Sequence, residues 1–210
     1  MTIPLRKQKP FVVGLVGGIA SGKSHIAKAL EHLGAARIDA DALAHDVLSR
    51  PLIARSLGQT FGTSILHTDG TVDRSKLAEI VFADDPEAKS ARTRLEQIVH
   101  PLIHAAAVHQ LRLLKESSTP PAIVVIDAPL LLEAKWAPLC DAIFFIDTAE
   151  DTRLQRAQAR GWTEQQFRQR EAAQMSLNDK RAQATHIIPG HTQPEELAST
   201  LKQLLSQIVR

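Results

Sequence analysis

Five short apolar runs alternate along the chain with segments in which apolar residues are spaced three or four apart. The first run, residues 11–16, follows Pro10 and stops at paired glycines, as buried strands do. Similar runs predict further strands at residues 36–41, 122–127, 142–147 and 186–188. Because these strands alternate with helices, the pattern predicts an α/β fold with a parallel sheet covered by helices on both faces.

The helical spacing predicts helices at residues 23–33, 41–48, 96–114 and 194–209, the third of them kinked or interrupted by Pro101. Thr148 is expected to cap another helix that stops at Gly161, and residues 164–184 are expected to form one helix with few large apolar residues. Two stretches, 42–95 and 163–185, do not fit the alternating core. We therefore predict a core of residues 1–41, 96–150 and 186–210, a helical lobe at 42–95 and a lid at 151–185.

Composition narrows the class of protein. The 210-residue chain has a net charge of +2, which implies no whole-surface affinity for nucleic acid or membrane. Its single cysteine, Cys140, excludes an intramolecular disulfide and fits a reducing compartment. The amino terminus lacks the apolar region of a signal peptide, and no apolar run approaches the roughly 20 residues of a membrane span. These features predict a cytoplasmic protein without membrane or nucleic-acid partners, a monomer or weak homo-oligomer.

The loop after the first strand carries the clearest chemical signal. Residues 17–24, "GGIASGKS", match the phosphate-binding P-loop pattern G-x-x-x-x-G-K-S between a predicted strand and a predicted helix. A glycine-rich turn before a helix also arises by chance, but this context favours the phosphate loop. Its glycines let backbone N–H groups converge on an anion, its lysine supplies a cation and its serine offers a hydroxyl to Mg²⁺. The predicted phosphate-binding residues are Gly17, Gly18, Ala20, Ser21, Gly22, Lys23, Ser24 and His25.

A P-loop alone does not separate GTPases, ATPases and small-molecule kinases. The chain has no Asn-Lys-x-Asp sequence for reading guanine and no glycine-rich stretch of the kind ABC-type ATPases use. Asp39 and Asp41 lie where the second predicted strand ends, and ligands bind beyond the carboxyl ends of parallel strands. Asp41 is the better candidate for the base that accepts a proton from a hydroxyl acceptor, whereas Asp39 could be a turn or cap residue. These features favour a kinase that acts on a small acceptor.

Three further positions leave alternatives open. Asp127 ends the third predicted strand and is either a Mg²⁺ ligand or an ordinary turn carboxylate. Glu133 is either a charge at a helix start or a substrate contact. His100 lies four residues from His104 on a predicted helix, but ordinary packing is favoured over a zinc site because no HExxH glutamate accompanies them.

The segment 151–185 is rich in arginine and poor in apolar residues. Such a helical segment suits a lid that closes over a triphosphate and excludes water. On composition alone, a pair of solvated helices without a role is an equal alternative.

Several stretches resemble the dephospho-coenzyme A kinase family. They are "GLVGGIASGKS", "LGAARIDADALAHDV", "DGTVDRSKLAEIVFADD", "LEQIVHPLIH", "IDAPLLLEAKW" and the arginine-bearing segment up to "HIIPG". The resemblance covers residues 11–189 and implies transfer of the γ-phosphoryl of ATP, with Mg²⁺, to the ribose 3′-hydroxyl of dephospho-CoA. It also implies a P-loop core, a CoA-binding lobe and a lid, with Asp41 as the base and Arg160, together with Arg156, on the ATP phosphates.

Some positions depart from the pattern of that family. Ala20 replaces a frequent glycine, which is tolerable only if its φ stays negative. His25 replaces a common threonine, and Thr185 and Pro189 stand where an Asp and an Asn are usual, near the expected adenine end. Two other functions stay open at this point: another P-loop kinase of the nucleoside or nucleotide type, and a nucleotide-gated binding module with little or no turnover.

Overall fold

The computed structural model describes residues 9–83, 85–190 and 194–208. Most of the amino-terminal segment, which we predict not to be a signal peptide, lies outside these residues. Val209, the last residue of the predicted closing helix, lies outside them as well. Within the described residues, no helix is long and apolar enough to cross a membrane.

A five-stranded parallel sheet forms the centre of the fold. Its strands are β1 (Phe11–Gly17), β2 (Ala36–Asp39), β3 (Ile123–Asp127), β4 (Ala142–Asp147) and β5 (His186–Pro189), in the order β2-β3-β1-β4-β5. All five predicted strands are confirmed. The second ends at Asp39 instead of Asp41, because a helix begins at Ala40. β1 lies in the middle of the sheet, so the P-loop emerges at the carboxyl edge between the ends of β3 and β4.

Nine helices are present in the described part of the chain. They are α1 (Lys23–His32), α2 (Ala40–Leu48), α3 (Pro51–Phe61), α4 (Arg74–Val81), α5 (Pro86–Glu116), α6 (Glu150–Gln158), α7 (Glu164–Ala172), α8 (Leu177–Ala182) and α9 (Pro194–Ile208). Single turns of 3-10 helix occur at Thr63–Ile65 and Ala137–Leu139.

Three helix predictions were wrong in detail. Helix α5 begins ten residues before the predicted start and continues through Pro101, whose ring lies on the exposed side. The predicted single helix over residues 164–184 is two helices, because Ser176 accepts a hydrogen bond from the amide of Asp179 and caps a new start. Thr148 does not cap α6: Ala149 is the N-cap residue, and the Thr148 hydroxyl bonds to the P-loop.

The chain divides into two compact units. The first comprises the chain up to Asp39 and from Gln110 onward, and the second is Ala40–His109. In the first unit, α1 and α9 pack on one face of the sheet around Leu15, Ile26, Phe144 and Leu201. The core of the second unit is built by residues from α3, α4, α5 and the turn between α3 and α4, namely Leu57, Ile65, Leu77, Val81 and Ala91.

Candidate active site

The P-loop connects the end of β1 directly to α1. Gly22 has φ +103°, a left-handed conformation that glycine adopts at little cost, and α1 starts at the next residue. The backbone amides of Gly22, Lys23 and Ser24 therefore point out of the helix start, and none of them meets a backbone acceptor within the described residues. Converging amides at a helix N-terminus bind anions, as the sequence predicts for this loop.

Lys23 is held inside the curve of the loop. Its Nζ donates hydrogen bonds to the carbonyl oxygens of Gly17 at 3.1 Å and Gly18 at 3.0 Å. The ammonium group thus lies beside the loop backbone before any phosphate arrives. That Lys23 meets a phosphate here stays a prediction.

The surroundings of Lys23 weaken its hold on its proton. Burial lowers the pKa of Lys23 from 10.5 to about 8, and the positive charges of Lys180 and Arg153 act in the same direction. The negative charges of Asp127 and Glu133 oppose this effect. Because an incoming phosphate would stabilise the charged form, the site favours an anion by electrostatics as well as by geometry.

Ala20 does not behave as the sequence analysis required. Its φ is +57°, so the residue is left-handed although it is not glycine. For an L-residue with a Cβ this conformation costs about 1–2 kcal/mol. The expectation of a negative φ was wrong, and the loop keeps its shape at the expense of local strain.

Side chains from outside the loop hold its outer carbonyl groups. Arg156 donates to the carbonyl oxygens of Ala20 at 3.4 Å, Ser21 at 3.2 Å and Gly190 at 3.0 Å. The Thr148 hydroxyl donates to the same Ser21 oxygen at 2.8 Å. Because these carbonyl groups are turned outward, the amide groups of the loop are free to face the anion.

Arg153 supports this arrangement from one helical turn away. It is 2% exposed, donates from Nε to the carbonyl oxygen of Thr148 at 3.1 Å and forms an ion pair with Glu171. Its guanidinium lies 5.4 Å from the centre of the Phe167 ring. A Cβ on Gly18 would lie 2.6 Å from its Nη1, so the second loop glycine is needed for this close approach. We call Thr148, Arg153, Arg156 and Gly190 the loop brace.

Two carboxylates share an arginine at the neighbouring strand ends. Arg37 Nη2 lies 2.6 Å from Asp127 Oδ2 and 2.7 Å from Asp39 Oδ2. Asp39 and Asp127 are paired in register across β2 and β3, and Asp127 is 6% exposed. The negative charge of Asp127 acts on Lys23, while Arg37 engages one of the Asp127 carboxylate oxygens.

Asp41 and Arg160 are both solvent-exposed. Asp41 lies in the first turn of α2, two residues after β2 ends, and belongs to the second compact unit. Arg160 follows the end of α6, and its side chain forms no hydrogen bond or ion pair with any described residue. The basic segment is therefore of two kinds: Arg153 and Arg156 are docked on the loop, whereas Arg160 is available to a ligand.

The remaining predicted positions are more dispersed. His100 and His104 lie on α5, and no group of three or more His, Cys, Asp or Glu residues in the described ranges is arranged to hold a metal ion. Pro189 ends β5 at the carboxyl edge beside Asp147. Thr185 precedes β5 and bonds to Ile143, at the end of the sheet opposite the P-loop.

Four contributors to the site were not predicted from the sequence: Arg37, Gly190, and Thr148 and Arg153 in the roles described above. Arg37 could have been found, because residues two apart on a strand share a face and Arg37 therefore stands beside Asp39. Thr148 was assigned to a helix cap, for which its position in sequence is equally suited. Nothing in the sequence near Gly190 indicates its contact with a loop 170 residues earlier in the chain.

Comparisons with known proteins show the family of this chain. A family model described as "Dephospho-CoA kinase" matches residues 11–196. A dephospho-CoA kinase from Geobacter sulfurreducens is 40% identical over 195 residues, covering 92% of this chain and 96% of the relative. The crystal structure of TT1252 from Thermus thermophilus has a TM-score of 0.77 at 29% identity, covering 97% of this chain and 100% of that one. A dephospho-CoA kinase from Campylobacter jejuni shares the fold, with a TM-score of 0.70, 24% identity and coverage of 94% and 96%. This chain, with its P-loop on the central strand of a parallel sheet, belongs to the dephospho-CoA kinase family.

Proposed function

We propose that this chain transfers the γ-phosphoryl group of ATP to the ribose 3′-hydroxyl of dephospho-CoA, giving CoA and ADP. Membership of the kinase family makes ATP the phosphoryl donor. The observation that carries the proposal is the P-loop at the carboxyl edge of β1, where amides at the start of α1 and the Lys23 ammonium converge on one place. Phosphoryl transfer depends mainly on such positioning and charge stabilisation.

In this proposal the loop residues 17–25 bind the ATP phosphates, and Lys23 stabilises charge on the transferred group. Arg160 closes onto the phosphates, which is supported by its exposure and by the absence of any described partner. Arg156 either joins it or acts through the loop carbonyls to which it already donates. Charges aimed at the transferred group act more strongly once water is excluded from the site.

The residues at the loop fit a magnesium ion. Ser24 and Asp127 offer a hydroxyl and a carboxylate, the hard oxygen donors that Mg²⁺ prefers. Arg37 occupies Asp127 Oδ2, which leaves Oδ1 as the oxygen for a direct or water-mediated contact. When bound, the ion would neutralise part of the phosphate charge.

Asp41 is the proposed base for the 3′-hydroxyl. Its support is its place in the chain, directly after a strand that ends at the carboxyl edge of the sheet, together with its solvent exposure. Residues 42–95 would form the lobe that binds dephospho-CoA, and residues 151–185 would form the lid. We use the word lid for residues 151–185 from here on.

The test is ADP release by the purified protein with Mg·ATP, measured without an acceptor and with dephospho-CoA, adenosine or AMP. We expect stimulation by dephospho-CoA alone, with CoA as the product. Stimulation by adenosine or AMP instead would assign a different small acceptor. Equal and slow hydrolysis in all four reactions would contradict the kinase assignment and indicate a nucleotide-binding module instead.

A further inference from the structure

An ion pair between a buried lysine and a partly buried glutamate joins the lid to the segment that follows β3. Lys180, on α8, is 1% exposed. Its Nζ lies 3.0 Å from Glu133 Oε1 and 2.8 Å from Gln174 Oε1. Glu133 is 47 positions earlier in the chain, in the turns between β3 and Ala137–Leu139.

The same carboxylate oxygen also holds the backbone of the lid. The amide of Met175 donates to Glu133 Oε1 at 3.0 Å. Met175 belongs to residues 173–176, which connect α7 to α8 and which we call the lid turn. Glu133 Oε2 is buried and has no hydrogen-bond partner in the described part of the protein. The charge of Glu133 is therefore balanced chiefly by Lys180. Removing the carboxylate leaves the buried Lys180 ammonium unpaired, and removing Lys180 leaves unpaired a carboxylate whose side chain is 21% exposed and whose Oε2 is buried.

This cluster lies close to the phosphate loop. Helix α8 packs against β1, the strand that leads into the P-loop. The charges of Lys180 and Glu133 are both felt by Lys23, in opposite directions. Two residues before the lid turn, α7 is also tied to the loop brace, since Glu171 pairs with Arg153. The lid turn is thus fixed from two sides, and Glu133 provides the attachment that does not pass through the brace.

We propose that Glu133 is a positioning residue, which through Lys180 and the Met175 amide holds the lid turn where the lid can serve phosphoryl transfer. The inference rests on the proposed function in one respect, namely that residues 151–185 act as a lid during transfer. It assigns no contact between Glu133 and a substrate. An attachment of this kind affects the rate through the geometry of the lid, and small misplacements of positioning elements cost up to about 10²-fold in rate.

Three variants of the full chain test the inference: Glu133→Gln, Lys180→Met and the double variant. Glu133→Gln leaves the buried Lys180 unpaired and Lys180→Met leaves the partly buried Glu133 unpaired, whereas the double variant leaves no unpaired charge. The matched control is Glu164→Gln, which removes the same charge from an exposed carboxylate that pairs with Arg168 on the surface of α7. For each protein, hydrogen exchange at the amides of residues 174–183 is followed, and kcat and KM are measured for both substrates.

Each single variant should exchange faster at the Met175 amide and its neighbours, and kcat should fall about tenfold to a hundredfold with smaller changes in KM for dephospho-CoA. The double variant should recover both protection and kcat together, because no charge is left unpaired and the side-chain oxygen that Glu133→Gln retains can still accept from the Met175 amide. Glu164→Gln should match the unaltered protein in both measurements. If a single variant is too unstable to assay, the double variant tests the inference, since amide protection and kcat are expected to recover there.

Two results would overturn the inference. Unchanged exchange and unchanged kcat in Glu133→Gln would show that the pair positions nothing. A double variant that regains protection but stays slow would mean that one of the two charges acts directly on the reacting groups. Failure of the proposed function would be seen differently, as missing dephospho-CoA-dependent turnover in the unaltered protein.

Discussion

Asp41 is the residue on which the proposed chemistry depends most. A general base typically contributes about 10²- to 10⁴-fold to the rate. Asp41→Asn should therefore keep the affinity for Mg·ATP and lose turnover by a factor in that range, as measured by nucleotide binding and by coupled ADP release. The control is Asp46→Asn, which changes an exposed carboxylate on the same helix and should leave kcat unaltered. Undiminished turnover in Asp41→Asn would remove Asp41 from the mechanism.

Lys23 should make ATP binding dependent on pH in an alkaline window. Below pH 8 the free protein carries the charged lysine that phosphate prefers. Above its lowered pKa of about 8, the free protein must take up a proton to bind, so affinity should fall by up to about tenfold per pH unit. Calorimetry in buffers of different ionisation enthalpy would detect that proton uptake. Lys23→Met should bind weakly at every pH without this slope, and a flat profile in the unaltered protein from pH 7 to 9.5 would contradict the prediction.

Ala20 carries strain that a glycine would relieve. Ala20→Gly removes the left-handed penalty but adds freedom to the unfolded chain, so we expect a net gain of about 0.5–1 kcal/mol in the free energy of unfolding. Ala105→Gly, at an exposed position inside α5, should instead lose about 0.5–1 kcal/mol. Urea denaturation of both variants measures the difference, and a loss of stability in Ala20→Gly would show that the strain is relieved elsewhere.

Among the elements, α6 belongs to the arginine-rich segment and also supports the P-loop, and its composition does not reveal this second role. Arg153 and Arg156 lie three positions apart and therefore on one face of the helix, and both meet the P-loop or its support. The end of β5 completes the same arrangement through Gly190. The shape of the phosphate loop is consequently fixed by elements more than 120 residues away in sequence.

Gly190→Ala tests this dependence between elements. A Cβ there would lie 1.8 Å from Thr148 Oγ1 and 2.8 Å from the Ser21 carbonyl oxygen. We expect a loss of about 1–3 kcal/mol in stability from the forced displacement, together with weaker ATP binding. Adding Thr148→Ala removes the closest clash and should restore part of the stability. Unchanged ATP affinity in Gly190→Ala would show that the brace does not shape the loop.

At the scale of the whole molecule, Cys140 reports on the integrity of the first unit. Burial and the nearby charge of Asp141 raise the pKa of its thiol from 9.0 to about 12. Its sulfur packs over Gly14, in the middle of the central strand. The thiolate is the reactive form, so at pH 8 the folded protein should react with a thiol reagent about a hundredfold to a thousandfold more slowly than the urea-unfolded chain. Since the chain has one cysteine, the reaction rate is unambiguous, and similar rates in the two states would contradict the burial of this thiol.

The sequence by itself determined the five strands, the parallel α/β class, the P-loop and the family, because these follow from periodicity and from a compact motif whose residues are neighbours in the chain. It located helix boundaries less well, as the split between α7 and α8 and the early start of α5 show. Helix ends are hard to predict because several neighbouring residues can serve as the cap at similar free energy, and exposed helical residues differ little in helix propensity.

The tertiary structure alone decided which charged residues support the loop and which face solvent. Arg153 and Arg160 are the same residue type in the same arginine-rich segment, yet Arg153 is buried against Glu171 and Arg160 is exposed. The partnerships of Arg37 with Asp127 and of Glu133 with Lys180 join residues separated by about half and a quarter of the chain. Such pairs are set by strand order and helix packing, so the free energy that fixes them arises only when distant segments meet.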